Sequence, residues 1–190
     1  MTKVFIDGSA GTTGLRIFER LSERNDIELI ILPNELRKNI DARKSALNSA
    51  DIAFLCLPDA AAEEAVLLVE NKNTAIIDTS TAHRTLGSWT YGFPELDNVY
   101  EKIKSSKRIA NPGCHASGFV ALVKPLVDAG IIKRDAMLYC FSITGYSGGG
   151  KKMIAEYESE NRSPLLNAPR QYGLSQQHKH LKEMKKNLWN

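Results

Sequence analysis

Cys114 follows Asn111-Pro112-Gly113 and precedes an apolar run, residues 116–127, whose spacing predicts a helix. A cysteine at the head of a helix faces uncapped backbone N–H groups, and their partial positive charge favours the thiolate, the form that attacks a carbonyl carbon. The same N–H groups suit an oxyanion that develops there. Taken alone, Cys114 also reads as a buried residue filling a helix contact. A nucleophile needs an acid–base partner, and Gln177-His178-Lys179-His180-Leu181-Lys182-Glu183 packs two of the four histidines into three residues. On a helix His180 and Glu183 share a face, so the carboxylate can orient the imidazole. On a strand His178 and His180 share a face instead, and on a polar segment the pair also reads as solvated surface. Cys56 and Cys140, each within an apolar strand-like stretch, read as core.

A second chemical element stands near the start. Gly8-Ser9-Ala10-Gly11-Thr12-Thr13-Gly14 lies between an apolar strand, 3–7, and a helical run from Leu15. Small residues at Gly8, Ser9, Gly11, Thr12, Thr13 and Gly14 let backbone amides approach a pyrophosphate, with the helix N-terminus pointing at it. The G-x-x-G-x-x-G spacing has one residue more than the dinucleotide fingerprint, and a ligand-free turn is the competing reading. Cofactor choice is read after the second strand, 27–32, where an acid would bind ribose hydroxyls and a base a 2′-phosphate. Leu32 stands at the acid position, and Arg37 and Lys38 follow, so NADP(H) is expected. A solvated basic loop is the alternative.

The elements that must position these residues alternate. After the strand at 27–32 come a buried strand at 51–58, an alanine-rich helix at 59–70 and a strand at 74–78. Strand and helix in alternation, with nearly continuous apolar strands, predict an α/β fold: a Rossmann-like parallel sheet with helices on both faces. Part of an α+β substrate domain follows. The expected boundary divides a nucleotide domain, 1–113, from a catalytic domain, 114–190. Within the second, a strand over 136–144 runs into Gly145-Tyr146-Ser147-Gly148-Gly149-Gly150-Lys151-Lys152, with a helix from near Met153. This matches the core of a phosphate-binding loop, but Lys152 stands where a magnesium-binding hydroxyl belongs. A loop carrying Lys151 that binds a substrate phosphate or carboxylate is the preferred reading.

Composition bounds the classes. The 190 residues carry 43% hydrophobic and 25% charged side chains, as a globular protein does. A net charge of +3, evenly scattered, gives no nucleic-acid footprint. No run is long enough to span a membrane, no leader is apparent, and the three cysteines lack metal-type spacing, so a cytoplasmic protein without a metal is expected.

Six segments, in order along the chain, carry a resemblance: Gly8 to Gly14, Asp78-Thr79-Ser80-Thr81-Ala82-His83-Arg84, Tyr91-Gly92-Phe93-Pro94-Glu95-Leu96, Ala110-Asn111-Pro112-Gly113-Cys114, Gly145 to Lys151, and His178-Lys179-His180-Leu181. Together they resemble the N-acetyl-γ-glutamyl-phosphate reductase family in its shorter bacterial form, with the semialdehyde dehydrogenases as wider relatives. The resemblance implies reduction of an acyl phosphate to an aldehyde by NADPH through a thioester on Cys114, in arginine biosynthesis. It implies acid–base work by His178 or His180, with Ser80 at the cofactor. Arg84, Asn111, Ser147, Gly148, Lys151 and Arg162 would serve the substrate, and a homo-oligomer is expected. Other semialdehyde dehydrogenases or a catalytically silent fragment are the alternatives. The resemblance also implies further sequence beyond His180, and Lys182 stands where the family usually carries proline, so this chain reads as shortened and its activity alone as uncertain.

Overall fold

β1 (Thr2–Asp7) buries Val4, Phe5, Ile6 and Asp7 in succession, the pattern of a strand with partners on both edges and helices on both faces. The computed structural model describes residues 1–189. It divides into two units, Met1–Gly113 and Cys114–Asn190.

In the first unit β1 is followed by α1 (Thr12–Ser22), β2 (Ile27–Ile30), α2 (Ile40–Ser49), β3 (Ile52–Leu55), α3 (Asp59–Leu67), β4 (Ala75–Asp78), β5 (Thr90–Tyr91), α4 (Val99–Ser105) and β6 (Arg108–Ala110). The six strands are parallel, in the order β2-β1-β3-β4-β6-β5. The chain leaves β1 toward β2 and then crosses back to β3, so right-handed connections place α1 on one face and α2 and α3 on the other. On that second face Ala46, Leu47 and Ala50 of α2 and its end meet Ala62 and Ala65 of α3, over Ala53, Leu55 and Ile76 of the sheet. The small residues let both helices sit close to the strands.

Register decides what lies at the carboxyl edge. Asp7 is level with Leu55, Leu55 with Asp78, and Asp78 with Ala110. The glycine loop, Cys56, the 79–84 loop and Asn111-Pro112-Gly113 therefore leave the sheet side by side, at the edge where open α/β sheets bind ligands.

In the second unit α5 (Cys114–Asp128) begins at the cysteine itself. It ends in a Schellman motif: Gly130 has φ +70°, Gly130 N–H donates to the Val127 carbonyl at 3.0 Å and Ile131 N–H to that of Leu126 at 2.9 Å. β7 (Ile143–Thr144) pairs antiparallel with β8 (Arg170–Gln171), α6 (Gly150–Glu158) lies between them, and α7 (Lys179–Trp189) packs on α5. Buried His180, Met184 and Leu188 recur every fourth residue along α7, with Glu183 beside them.

Three expectations need correction. The strand expected over 136–144 is reduced to Ile143–Thr144, because only the two residues of β8 pair with it among the described residues. Met137, Tyr139 and Phe141 are exposed in consequence, and Cys140 is exposed rather than core. The helix expected over 59–70 stops at Leu67. α2, β5, α4 and β6 were not anticipated. Among the described residues no helix is long and apolar enough to cross a membrane.

Candidate active site

The first unit holds a cavity of about 820 Å³ at the end of β1, lined among others by Gly8, Ser9, Ala10, Leu32, Asn34, Glu35, Arg37, Lys38 and Arg43. Its floor is the glycine loop. Gly8 has φ +87°, and a Cβ there would meet the Cys56 carbonyl oxygen at 2.3 Å; one on Gly14 would meet the Gly8 carbonyl oxygen at 2.3 Å. Only glycine permits this closeness of loop, β3 and α1. Among the described residues no side chain caps α1, which leaves the backbone N–H groups of its first turn, from Thr12 and Thr13 onward, for a ligand. Arg37 and Lys38 stand on the cavity wall after a 3-10 turn, Asn34–Leu36, and neither forms an ion pair among the described residues. A cavity of this size with a phosphate-sized glycine floor and two cations on one wall fits a dinucleotide.

The 79–84 loop beside it is tied down by buried charge. Asp78, with no exposed surface, accepts from Ser80 N–H at 2.9 Å, from Ser80 Oγ at 2.7 Å and meets His83 Nδ1 at 2.6 Å. Trp89 stacks on His83 with ring centroids 4.0 Å apart. Asp59, the first residue of α3, accepts from Thr81 N–H and Oγ1 at 2.9 and 2.7 Å. The Ser80 hydroxyl donates to Asp78, and buried Arg84 donates from Nη2 to the Thr79 carbonyl at 2.8 Å. Asn111 is exposed, its Nδ2 donating to the Pro112 carbonyl at 3.1 Å.

The second unit gathers three of the four histidines. Cys114 is exposed at the first position of α5, and its Sγ has no hydrogen-bond partner among the described residues. His115, the next residue, lies flat against Tyr172, with ring centroids 3.7 Å apart and planes 9° from parallel, and its Nδ1 meets Ser142 Oγ. Tyr172 Oη meets His178 Nε2 at 2.8 Å, and His178 packs edge-on against His180 at 4.4 Å. His115 and His180 are 6.1 Å apart. Burial pushes His115 below the ordinary histidine range, and the charge of His178 pushes the same way. Four of these rings line a cavity of about 500 Å³ with Cys140, Met184 and Leu188.

His180 and Glu183 share one face of α7, as helical spacing allows, and both are buried rather than on a solvated surface. His115 and Tyr172 were missed. His115 was visible beside Cys114 in the motif, whereas nothing in sequence marks Tyr172 before its partner helix is known. Ser147, Gly148, Lys151 and Arg162 are not among the residues that line this cavity. Ser147 and Gly148 form an exposed 3-10 turn and Lys151 is exposed in the first turn of α6. Arg162 is exposed and closes its own loop, donating to the Tyr157 carbonyl and to Asn167 Oδ1 at 3.2 Å each. β7 is antiparallel and two residues long, unlike the parallel strand that leads into a nucleotide phosphate loop.

Residues 3–106 match the semialdehyde dehydrogenase NAD binding domain, and residues 114–190 the semialdehyde dehydrogenase dimerisation domain. The chain belongs to the semialdehyde dehydrogenase family. Within that family it is 52% identical over 184 residues to the N-acetyl-gamma-glutamyl-phosphate reductase of Chelativorans sp., covering 96% of this chain and 59% of that protein. It is 50% identical over 186 residues to the protein of the same name from Allorhizobium ampelinum, covering 96% and 60%. Among solved semialdehyde dehydrogenases, aspartate semialdehyde dehydrogenase II from Vibrio cholerae superposes with a TM-score of 0.62 at 17% identity, over 99% of this chain and 66% of that one. The likeness to that structure concerns the fold. The chain spans about three fifths of the length of the curated relatives it matches.

Proposed function

We propose that this chain carries the cofactor-binding and nucleophile-bearing portion of an NADPH-dependent N-acetyl-γ-glutamyl-phosphate reductase. The observation that carries this reading is an exposed cysteine at the first residue of α5, on a chain about half identical to proteins of that name. Cys114 thiolate attacks the acyl carbon of N-acetyl-γ-glutamyl phosphate, the carbon–oxygen bond to phosphate breaks, and a thioester to Cys114 remains. The N–H groups at the start of α5 stabilise the negative oxygen of the tetrahedral state.

His178 accepts from the His180 N–H at Nδ1 and meets Tyr172 at Nε2, so both its nitrogens are engaged in holding structure. In this reading His180, beside Glu183 on α7, takes the thiol proton and passes it to the departing phosphate. Bound NADPH would supply a hydride for the thioester carbon; at Cys114 the carbon–sulfur bond would then break, releasing N-acetylglutamate 5-semialdehyde and restoring the thiolate. Gly8, Ser9, Gly11 and Gly14 with the first turn of α1 would hold its pyrophosphate, and Arg37 and Lys38 its 2′-phosphate. The match of residues 114–190 to a dimerisation domain supports a homo-oligomer.

The test runs the reaction backward: oxidation of N-acetylglutamate semialdehyde that requires both phosphate and NADP supports the reading. Equal turnover of aspartate semialdehyde would assign the site to another member of the family.

A further inference from the structure

We propose that Tyr172 is a positioning residue that fixes the tautomer of His178 and, through it, the start of the helix that presents His180. His178 immediately precedes α7, where the first backbone N–H groups have no carbonyl partner within the helix. Side-chain oxygens of Ser, Thr, Asp or Asn usually fill that role. Here an imidazole does: His180 N–H donates to His178 Nδ1 at 3.1 Å.

An Nδ1 that accepts carries no proton, so the neutral ring bears its proton on Nε2. That proton points at Tyr172 Oη, 2.8 Å away. The hydroxyl thereby selects the one tautomer able to cap α7. With the proton on Nδ1 instead, two N–H groups would oppose each other and the cap would be lost.

Tyr172 is itself held from the cysteine side. Its backbone N–H donates to the Ser142 carbonyl at 2.9 Å, and its ring lies on His115, the neighbour of Cys114. Orientation passes from the residue after the nucleophile, through one aromatic ring and one hydroxyl, to the histidine assigned proton transfer. The catalytic meaning of this link rests on the proposed reductase reading; the tautomer does not.

The experiment is 15N NMR of the full chain labelled at histidine, where protonated and bare ring nitrogens resonate far apart. In the unsubstituted protein His178 should show a bare Nδ1 and a protonated Nε2. Tyr172→Phe keeps the ring stacked on His115 and removes only the hydroxyl. It should shift His178 toward a mixture of tautomers and speed amide exchange at His180 roughly five- to tenfold, the scale of a lost cap. An Nδ1-protonated His178 in the unsubstituted protein, or an unchanged tautomer in Tyr172→Phe, would overturn the proposal. Neither readout depends on turnover, so failure of the reductase assay and failure of this link are separate results.

Discussion

Nε and Nη2 of Arg43 both close on one oxygen of Asp7, Oδ2, at 3.1 and 3.0 Å, and Nη1 holds Glu64 Oε1 at 2.8 Å. Because Gly8 follows Asp7, this contact ties α2 to the residue that begins the glycine loop. Arg43→Ala would leave Asp7 as a buried carboxylate without its counter-charge, and should cost about 3–5 kcal/mol. Asp7→Asn leaves Arg43 paired with Glu64 and should cost less. Urea unfolding at neutral pH checks the order.

Burial raises Asp7 above the ordinary carboxylate range, against the lowering effects of its Arg43 hydrogen bond and charge. The folded protein then holds this proton more tightly than the unfolded chain, so the contribution of Asp7 declines as pH rises from the ordinary value through the folded one, and is level above it. The stability difference between the unsubstituted protein and Asp7→Asn should fall across that window. A difference that grows with pH would contradict the assignment.

Glycine substitutions should separate sharply. Gly8→Ala places a Cβ 2.3 Å from the Cys56 carbonyl oxygen at φ +87°, and Gly14→Ala meets the Gly8 carbonyl oxygen at the same distance; Gly87→Ala meets nothing within 4 Å. The first two should lower stability by roughly 2 kcal/mol or more and abolish nucleotide binding, while Gly87→Ala changes both by less than about 0.5 kcal/mol. Thermal unfolding with and without NADPH measures all three.

The parallel sheet was legible because its strands are apolar runs between turn residues, with 3–7 and 74–78 recovered nearly to the residue. Residues 136–142 show why such patterning is insufficient: their apolar character asks for a strand, yet a strand needs a hydrogen-bonded partner, and β8 offers two residues. At the site, helical spacing anticipated that His180 and Glu183 would share a face, but not that the face would be buried. The engagement of His178 by Tyr172 depends on a turn and a short antiparallel pair that bring residues 115, 142, 172 and 178 together. No local pattern encodes that. The burial of Arg84 and its hydrogen bond to the Thr79 carbonyl are likewise not encoded in its local sequence.

NADPH should bind more tightly than NADH by about 1 to 3 kcal/mol, from charge-assisted hydrogen bonds of Arg37 and Lys38 to the 2′-phosphate. Isothermal titration with both nucleotides decides the matter, and replacing Arg37 and Lys38 by alanine should erase the preference. Equal affinities in the unsubstituted protein would show that the pair only solvates its loop.

Thiol reactivity should rank the cysteines. Burial pushes the Cys56 thiol up to about 11, so at pH 8 only about 0.1% of it is thiolate. Iodoacetamide followed by peptide mapping should find Cys114 modified first, Cys140 next, and Cys56 at least about tenfold more slowly than Cys114. Faster labelling of Cys140 would mean that the start of α5 does not activate its thiol.

The most direct test of the account is the intact mass of the chain after exposure to N-acetyl-γ-glutamyl phosphate without NADPH. One N-acetylglutamyl group should be added, map to Cys114, and be released by hydroxylamine as a thioester is; Cys114→Ser should show none. Acylation that persists in Cys114→Ser, or no acylation of the unsubstituted chain, would contradict Cys114 as the nucleophile.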